Sequence, residues 1–473
     1  MKLINSLLLM LLAGQVLAQG NVHPSSAQYE WPTAPLVKQK LDKWQDQKFG
    51  MIIHWGLYAV PGIVESWSIC SEDEDWIPRD STAAYDDYKK WYWGLKDSFN
   101  PVNFNPEQWA KAAKGAGMKY LVFTTKHHDG FSMFDTKQTN FKITDGPFKN
   151  NPKANVAKYV FDAFRKEGMM IGAYFSKPDW HCPYYWWPRY ATPNRNNNYD
   201  IKKHPWRWEQ YKQYTYSQIS ELMNDYGSMD ILWLDGGWVR PRETVNSEVL
   251  SWGAPIPEWS QDIDMPKIAA MARKAQPGLL IVDRTVHGPY ENYQTPEQRI
   301  PDHKIDNPWE SCMTLGDAWG YVPSENFKPA SKVIASLIEI VAKGGSLLLG
   351  VGPSADGTLQ QPIIDRLAEI GTWINANGEA IYNTRTADIY KDGNSFFTRS
   401  KDSKKMYALI PVAEGDPTPS VVEWSGNIPA KESKMVLLQT KQNVKWSVVN
   451  GKVKVILPKS LKTVSIALAF TPA

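Results

Sequence analysis

The residues with chemical potential in this chain are acids and histidines that follow short apolar runs. Ile231-Leu232-Trp233-Leu234 is unbroken apolar sequence ending on Asp235, with Gly236 and Gly237 behind it. The pattern reads as a buried parallel strand whose last side chain emerges where the chain turns sharply. A carboxylate in such a place is costly unless something pairs with it or uses it. Taken alone, Asp235 caps a helix as readily as it catalyses. Five other runs end in much the same way. Residues 51–53 lead into His54-Trp55-Gly56, and residues 120–124 into Lys126-His127-His128-Asp129-Gly130. Residues 169–174 end on Tyr174 with Asp179-Trp180 beyond, 279–282 precede Asp283-Arg284, and 346–349 precede Gly350-Val351-Gly352. Three of the eight histidines thus fall on two strand ends, which favours ligand contact over core packing.

Two chemistries suit this set. One is a metal site, because imidazole is the commonest metal ligand, although no His-x-His pair is present. The other is cleavage of a glycosidic bond, which needs two carboxyl groups across one bond. One stays ionised, and the other has its pKa raised so that it can protonate the leaving oxygen. Asp235 can be the first; the loop 288–298 offers Glu291 and Glu297 for the second.

Such side chains need a frame that brings strand ends together. From Phe49 to about Thr372 the six runs alternate with helical patterns. Asn105-Pro106-Glu107-Gln108 supplies a cap, a proline at the first helical position and a Gln able to complete a capping box. Ser331 opens another helix, with Val333, Ile334, Leu337, Ile338 and Val341 on one face and Gly344 as its stop. Strands separated by helices over this length predict an α/β fold with a parallel sheet, closed as a (β/α)8 barrel. Six of its eight strands are legible, and no phosphate-binding glycine loop follows the first. In a barrel of this kind the loops at the carboxyl ends of the strands build the site. After Tyr382 the pattern changes to short, alternating, β-branched runs at 396–399, 406–410, 435–438, 444–448, 452–456 and 464–469. They predict a C-terminal all-β sandwich. The expected domains are a signal peptide at 1–18, the barrel at 19–383 and the sandwich at 384–473.

Composition narrows the classes. Hydrophobic content of 42% and charged content of 22% are ordinary for a soluble globular protein, and a net charge of +3 gives no argument for nucleic acid or an anionic membrane as partner. Aromatic content of 12%, with 22 Trp, suits stacking against sugar faces as well as core filling. Lys2, the apolar stretch 7–12 and Val16-Leu17-Ala18 read as a cleavable leader, predicting a periplasmic or secreted protein. No cysteine follows the cleavage point for a lipid anchor. Cys70, Cys182 and Cys312 lack metal-ligand spacing and are expected as packed thiols.

Several of these stretches together resemble one family. Phe49-Gly50-Met51-Ile52-Ile53-His54-Trp55-Gly56-Leu57-Tyr58, Lys126-His127-His128-Asp129-Gly130-Phe131, Trp233-Leu234-Asp235, Lys343-Gly344-Gly345-Ser346-Leu347-Leu348-Leu349 and Gly378-Glu379-Ala380-Ile381-Tyr382 are similar to the retaining α-L-fucosidases of glycoside hydrolase family 29. The resemblance spans the whole barrel. It implies release of α-L-fucose from fucosylated glycans by double displacement, with no metal and no cofactor. It implies Asp235 as nucleophile, His54, His127 and His128 in the sugar pocket, and Tyr174, Trp233 and Arg284 beside them. The family's acid/base follows the Asp-Arg pair in a Thr-x-Glu context, implying Glu297 in Thr295-Pro296-Glu297, with Glu291 in reserve. Glu65 and Trp67 stand nearest to the family's Glu-Trp-Tyr. The family's Asn-Val-Gly-Pro is Gly350-Val351-Gly352-Pro353 here, which predicts an altered pocket floor and a shift of preference among fucose-configured sugars, for instance towards α-L-galactosides.

Overall fold

The structure, a computed structural model, describes residues 28–70 and 84–473; the leader expected at 1–18 lies outside them. Seven strands form a parallel sheet: β1 (Phe49–Ile53), β2 (Tyr120–Lys126), β3 (Met170–Ser176), β4 (Ile231–Asp235), β5 (Leu280–Asp283), β6 (Glu310–Thr314) and β7 (Ser346–Val351). Their order is β5-β4-β3-β2-β1-β7-β6. Almost every residue in them is buried, as a strand covered on both faces requires.

Between the edge strands β5 and β6 runs an irregular stave. The chain leaves β5 and descends beside it, with Val282 and Glu291 bridged antiparallel. It then climbs beside β6, with Gln294 bridged to Trp309 and Glu297 to Cys312 in the parallel sense. Main-chain bonds hold both sides: Asn292 N–H donates to the Ile281 carbonyl at 2.9 Å, and Glu310 N–H to that of Gln294 at 2.8 Å. The ring is therefore a (β/α)8-type barrel in which seven members are regular strands. No helix separates β5 from the stave or the stave from β6 among the described residues.

Strand β6 was not among the six expected, and its sequence explains why. Glu310-Ser311-Cys312-Met313-Thr314 is polar, yet the Glu310 carboxylate is satisfied inside the ring by the Tyr120 hydroxyl at 2.6 Å and the Trp233 indole N–H at 3.2 Å. The expected helix starts fare better. Asn105 accepts from the Gln108 N–H at the head of helix Pro106–Gly115, and helix Ala330–Ala342 begins one residue before Ser331. Gly344 takes φ 95°, the left-handed backbone that stops that helix. At the amino end of the ring, Val37, Leu41 and Trp44 of helix Pro35–Gln45 join the interior cluster, and Trp44 stacks on Tyr293 at 3.9 Å.

The C-terminal strands are β8 (Thr384–Asp392), β9 (Ser395–Ser400), β10 (Met406–Pro411), β11 (Val421–Ser425), β12 (Met435–Leu437), β13 (Gln442–Val449), β14 (Lys452–Ile456) and β15 (Ser465–Phe470). They pair antiparallel in the order β11-β14-β13-β12-β15-β10-β9-β8 around Phe397, Trp424, Leu437, Val455 and Leu468. Six match the expected runs. β8 and β11, the two edge strands of this sheet, were not among them. Cys70, Cys182 and Cys312 are all buried.

Candidate active site

Asp235 ends β4 and turns its carboxylate into a pocket at the carboxyl ends of the strands. Arg284, just past β5, enters from the next position round the ring. Its Nη1 donates to Asp235 Oδ1 at 2.8 Å and its Nη2 to Glu297 Oε2 at 2.8 Å. The Arg284 Nε donates to Thr295 Oγ1 at 3.0 Å, and its guanidinium lies 4.5 Å from the Trp233 ring centre. One planar cation thus holds two acids that come from different staves.

The two acids are biased in opposite directions. Burial alone would raise the pKa of both. For Asp235 the Arg284 charge, the Tyr174 hydroxyl at 2.7 Å and the Gly236 N–H at 2.8 Å overcome burial and hold the carboxyl well below its ordinary range. For Glu297 burial prevails over Arg284, with help from the negative charges of Asp235 and Glu65, and the pKa is raised. Trp319 donates its indole N–H to Glu297 Oε1 at 3.1 Å. This is the split that two carboxyl groups with different tasks require.

The histidines form one wall. His54 follows β1, and its ring lies 5.7 Å from that of His127 and 5.6 Å from Tyr174. His127 sits behind the lining, its Nδ1 at 2.6 Å from Ser66 Oγ and its Nε2 at 3.0 Å from Glu65 Oε2. His128 Nδ1 meets Ser176 Oγ at 2.5 Å, leaving Nε2 at 3.8 Å from Asp235 Oδ2. Burial, reinforced by the neighbouring His127, pushes His54 and His128 well below the usual imidazole range, so both are neutral. Trp67 packs edge-on to His128 at 5.0 Å. The pocket is lined by His54, Glu65, Trp67, His128, Tyr174, Trp233, Asp235, Arg284 and Glu297 from the expected set.

Other strand-end acids have structural partners. Asp179 pairs with Lys126 at 3.0 Å, Asp283 with Lys177, and Asp129 accepts from the Tyr92 hydroxyl at 2.8 Å. Glu291, the reserve candidate, lies outside the pocket lining, bonded to His287 Nδ1 at 2.7 Å and to the Thr285 N–H. Trp180, next to Asp179 beyond β3, is buried against His128 and Trp186 rather than offered to solvent.

Four lining residues were not anticipated: Ile52, Trp238, Cys312 and Trp319. Trp238 lies three positions past Asp235, in the same turn, and that proximity was the available signal. Cys312 and Trp319 lie on and after the unread strand β6. Trp319 also explains Gly350. A Cβ on Gly350 would stand 2.8 Å from two atoms of the Trp319 ring, so the indole fills the space that a side chain at 350 would need.

His54, Glu65 and His127 place ligand atoms within 4.8 Å of one another, the only such trio among the described residues. Both His127 nitrogens and one Glu65 oxygen are already engaged with protein groups. The buried Nδ1 of His54 has no protein partner. As arranged, the trio offers polar edges for hydroxyl groups more readily than a set of open metal ligands.

The plasma α-L-fucosidase of Homo sapiens is 27% identical over 404 residues, covering 82% of this chain and 79% of its own. The structure of α-L-fucosidase isoenzyme 1 from Paenibacillus thiaminolyticus aligns with a TM-score of 0.74 at 31% identity, over 93% of this chain and 100% of that one. A Thermotoga maritima α-fucosidase in complex with a mechanism-based inhibitor aligns with a TM-score of 0.71 at 25% identity, covering 93% of this chain and 100% of its own. The α-L-fucosidase family model matches residues 16–379. A barrel with two oppositely biased acids on one arginine and a match of that extent lead to one conclusion: the chain belongs to the α-L-fucosidase family, glycoside hydrolase family 29.

Proposed function

We propose that Asp235 and Glu297 carry out the retaining hydrolysis of α-L-fucosides, as nucleophile and as acid/base respectively. Asp235 Oδ attacks the anomeric carbon as the bond to the leaving oxygen breaks, and that oxygen takes the proton of Glu297. The ionised Glu297 then removes a proton from water, which displaces Asp235 from the sugar with a second inversion. Net configuration is retained, and the products are fucose and the free hydroxyl of the aglycone.

The observation that carries this reading is the shared Arg284, which keeps both acids at one pocket while their pKa values move apart. Neutral His54 and His128 and the Glu65–His127 pair supply donors and acceptors for ring hydroxyls. Trp67 and Trp233 supply flat apolar faces to the ring. Fucosylated oligosaccharides or glycoconjugates are the proposed substrates. The leader-like N-terminus supports a periplasmic or secreted enzyme. No helix among the described residues is long and apolar enough to cross a membrane.

The test is chemical rescue. Asp235→Ala is expected to lower kcat on an aryl α-L-fucoside by about 10⁴-fold or more. Added azide should restore turnover and give β-fucosyl azide, because azide attacks once from the face Asp235 occupied. An α-azide product would move the nucleophile's role to another residue, and wild-type activity in Asp235→Ala would remove the proposal altogether. Activity of the wild type on an α-L-galactoside, measured beside it, reports the changed floor at Gly350 and Trp319.

A further inference from the structure

Where helix Gln361–Asn377 meets the C-terminal sheet, a cleft of about 700 Å³ opens, well within the range in which proteins hold small ligands. None of its lining residues belongs to the active-site pocket. Two side-chain amides face it. Asn377, fully buried, donates its Nδ2–H to the Trp373 carbonyl at 2.8 Å, and Gln439 donates its Nε2–H to the Ser465 carbonyl at 2.6 Å. Asn377 donates to the main chain alone, and Gln439 donates also to the Thr463 hydroxyl at 3.4 Å, which fixes both orientations. Each is left with a buried oxygen that has no protein partner. Arg366, on the same wall, grips Glu369 through Nη1 at 2.9 Å and keeps a buried Nε without an acceptor.

Unpaired buried acceptors and donors cost stability unless a ligand or solvent meets them. Here they stand beside apolar wall from Ile334, Trp373 and Val412, with cations and carboxylates both present at the rim. A ligand of strong single-sign charge would meet like charge on one side. Hydroxyl groups give and accept hydrogen bonds at once, and pyranose rings present apolar faces. We propose that this junction is a second, non-catalytic site for a neutral carbohydrate chain. It rests on the reading of the barrel as a glycan-cleaving site, and it gives the enzyme a hold on the glycan away from the bond being cut.

The test is calorimetric titration of the full chain, with L-fucose saturating the barrel pocket, by neutral β-linked gluco-, xylo- and galacto-oligosaccharides. At least one series is expected to bind in the millimolar range or tighter. Gln439→Leu removes one spare acceptor, and Ala376→Trp fills the cleft from an exposed position on its wall. Each should weaken that binding by about tenfold or more, with turnover of an aryl α-L-fucoside unchanged. Thermal midpoints check that both variants are folded. Absence of binding by every series, binding untouched by both variants, or preference for a sulfated oligosaccharide would each overturn the proposal. Failure of the barrel reading shows separately, as wild-type protein without fucoside turnover.

Discussion

Arg284 touches both acids with a single guanidinium but outweighs burial only at Asp235, so the site's pH behaviour follows from the surroundings of each acid. Asp235 is held below the ordinary carboxylate range and stays ionised well into acid. Glu297 is raised, so its protonated, proton-donating form persists above the ordinary range and is lost as pH climbs through the raised value. The kcat/KM profile is therefore expected to fall on the alkaline side through Glu297. Trp319→Phe removes an N–H that favours the ionised form of Glu297, so the alkaline limb should move to higher pH while kcat drops about tenfold. An unmoved limb would detach Trp319 from Glu297. Gly350→Asn should be more damaging, because its side chain and the Trp319 ring claim the same space.

At the scale of elements, β6 and the irregular stave do more than close the ring. The stave carries Thr295 and Glu297 upward beside β6, while β6 places Glu310 beneath the pocket, bonded to Trp233. Burial raises the Glu310 pKa from 4.5 to about 7, against the hydrogen bonds from Tyr120 and Trp233. A folded-state value above the unfolded one means stability fully present below pH 4.5 and lost as pH rises through about 7. Glu310→Gln cannot titrate, so it should remove up to about 3 kcal/mol of that pH dependence. Denaturant midpoints of both proteins at the two ends of this window give the measurement. Parallel curves for wild type and variant would show that Glu310 stays ionised in the fold.

For the whole molecule, the question is what fastens the C-terminal sheet to the barrel. An ion-pair cluster joins Arg385 and Lys401 to Asp42 and Asp46 of the amino-terminal segment, at 2.6 to 2.8 Å. Lys401 is 43% and Asp42 55% exposed in side chain, so solvent screens the cluster. The buried contacts are of another kind: Trp373 packs in the main core and donates to the Ser465 carbonyl at 2.8 Å, and Thr386 donates to that of Ala342 at 2.7 Å. Lys401→Ala is expected to cost less than about 1 kcal/mol, whereas Trp373→Ala should cost about 3–5 kcal/mol. Chemical denaturation of the full chain compares them, and a larger loss from Lys401→Ala would reverse this account of the junction.

The sequence by itself determined which residue types stand at strand ends, because buried strands need continuous apolar runs and chemistry needs the polar residue that interrupts them. That logic exposed Asp235, His54, His127, His128 and Arg284, and the change of pattern after Tyr382 marked a second sheet. It could not reveal β6, since the polarity of Glu310 and Ser311 is tolerable only once Tyr120 and Trp233, distant in sequence, are folded against Glu310. Nor could residue patterning alone choose between Glu291 and Glu297. Both are buried acids in one loop, and only the descent and return of the stave turns one to His287 and the other to Arg284. Tertiary structure likewise decided that Trp319 takes the space left by Gly350, and that Asp129, Asp179 and Asp283 are occupied with tyrosine and lysines. Burial and partner charge are properties of the assembled ring, so the division of labour between two chemically similar carboxyl groups exists only there.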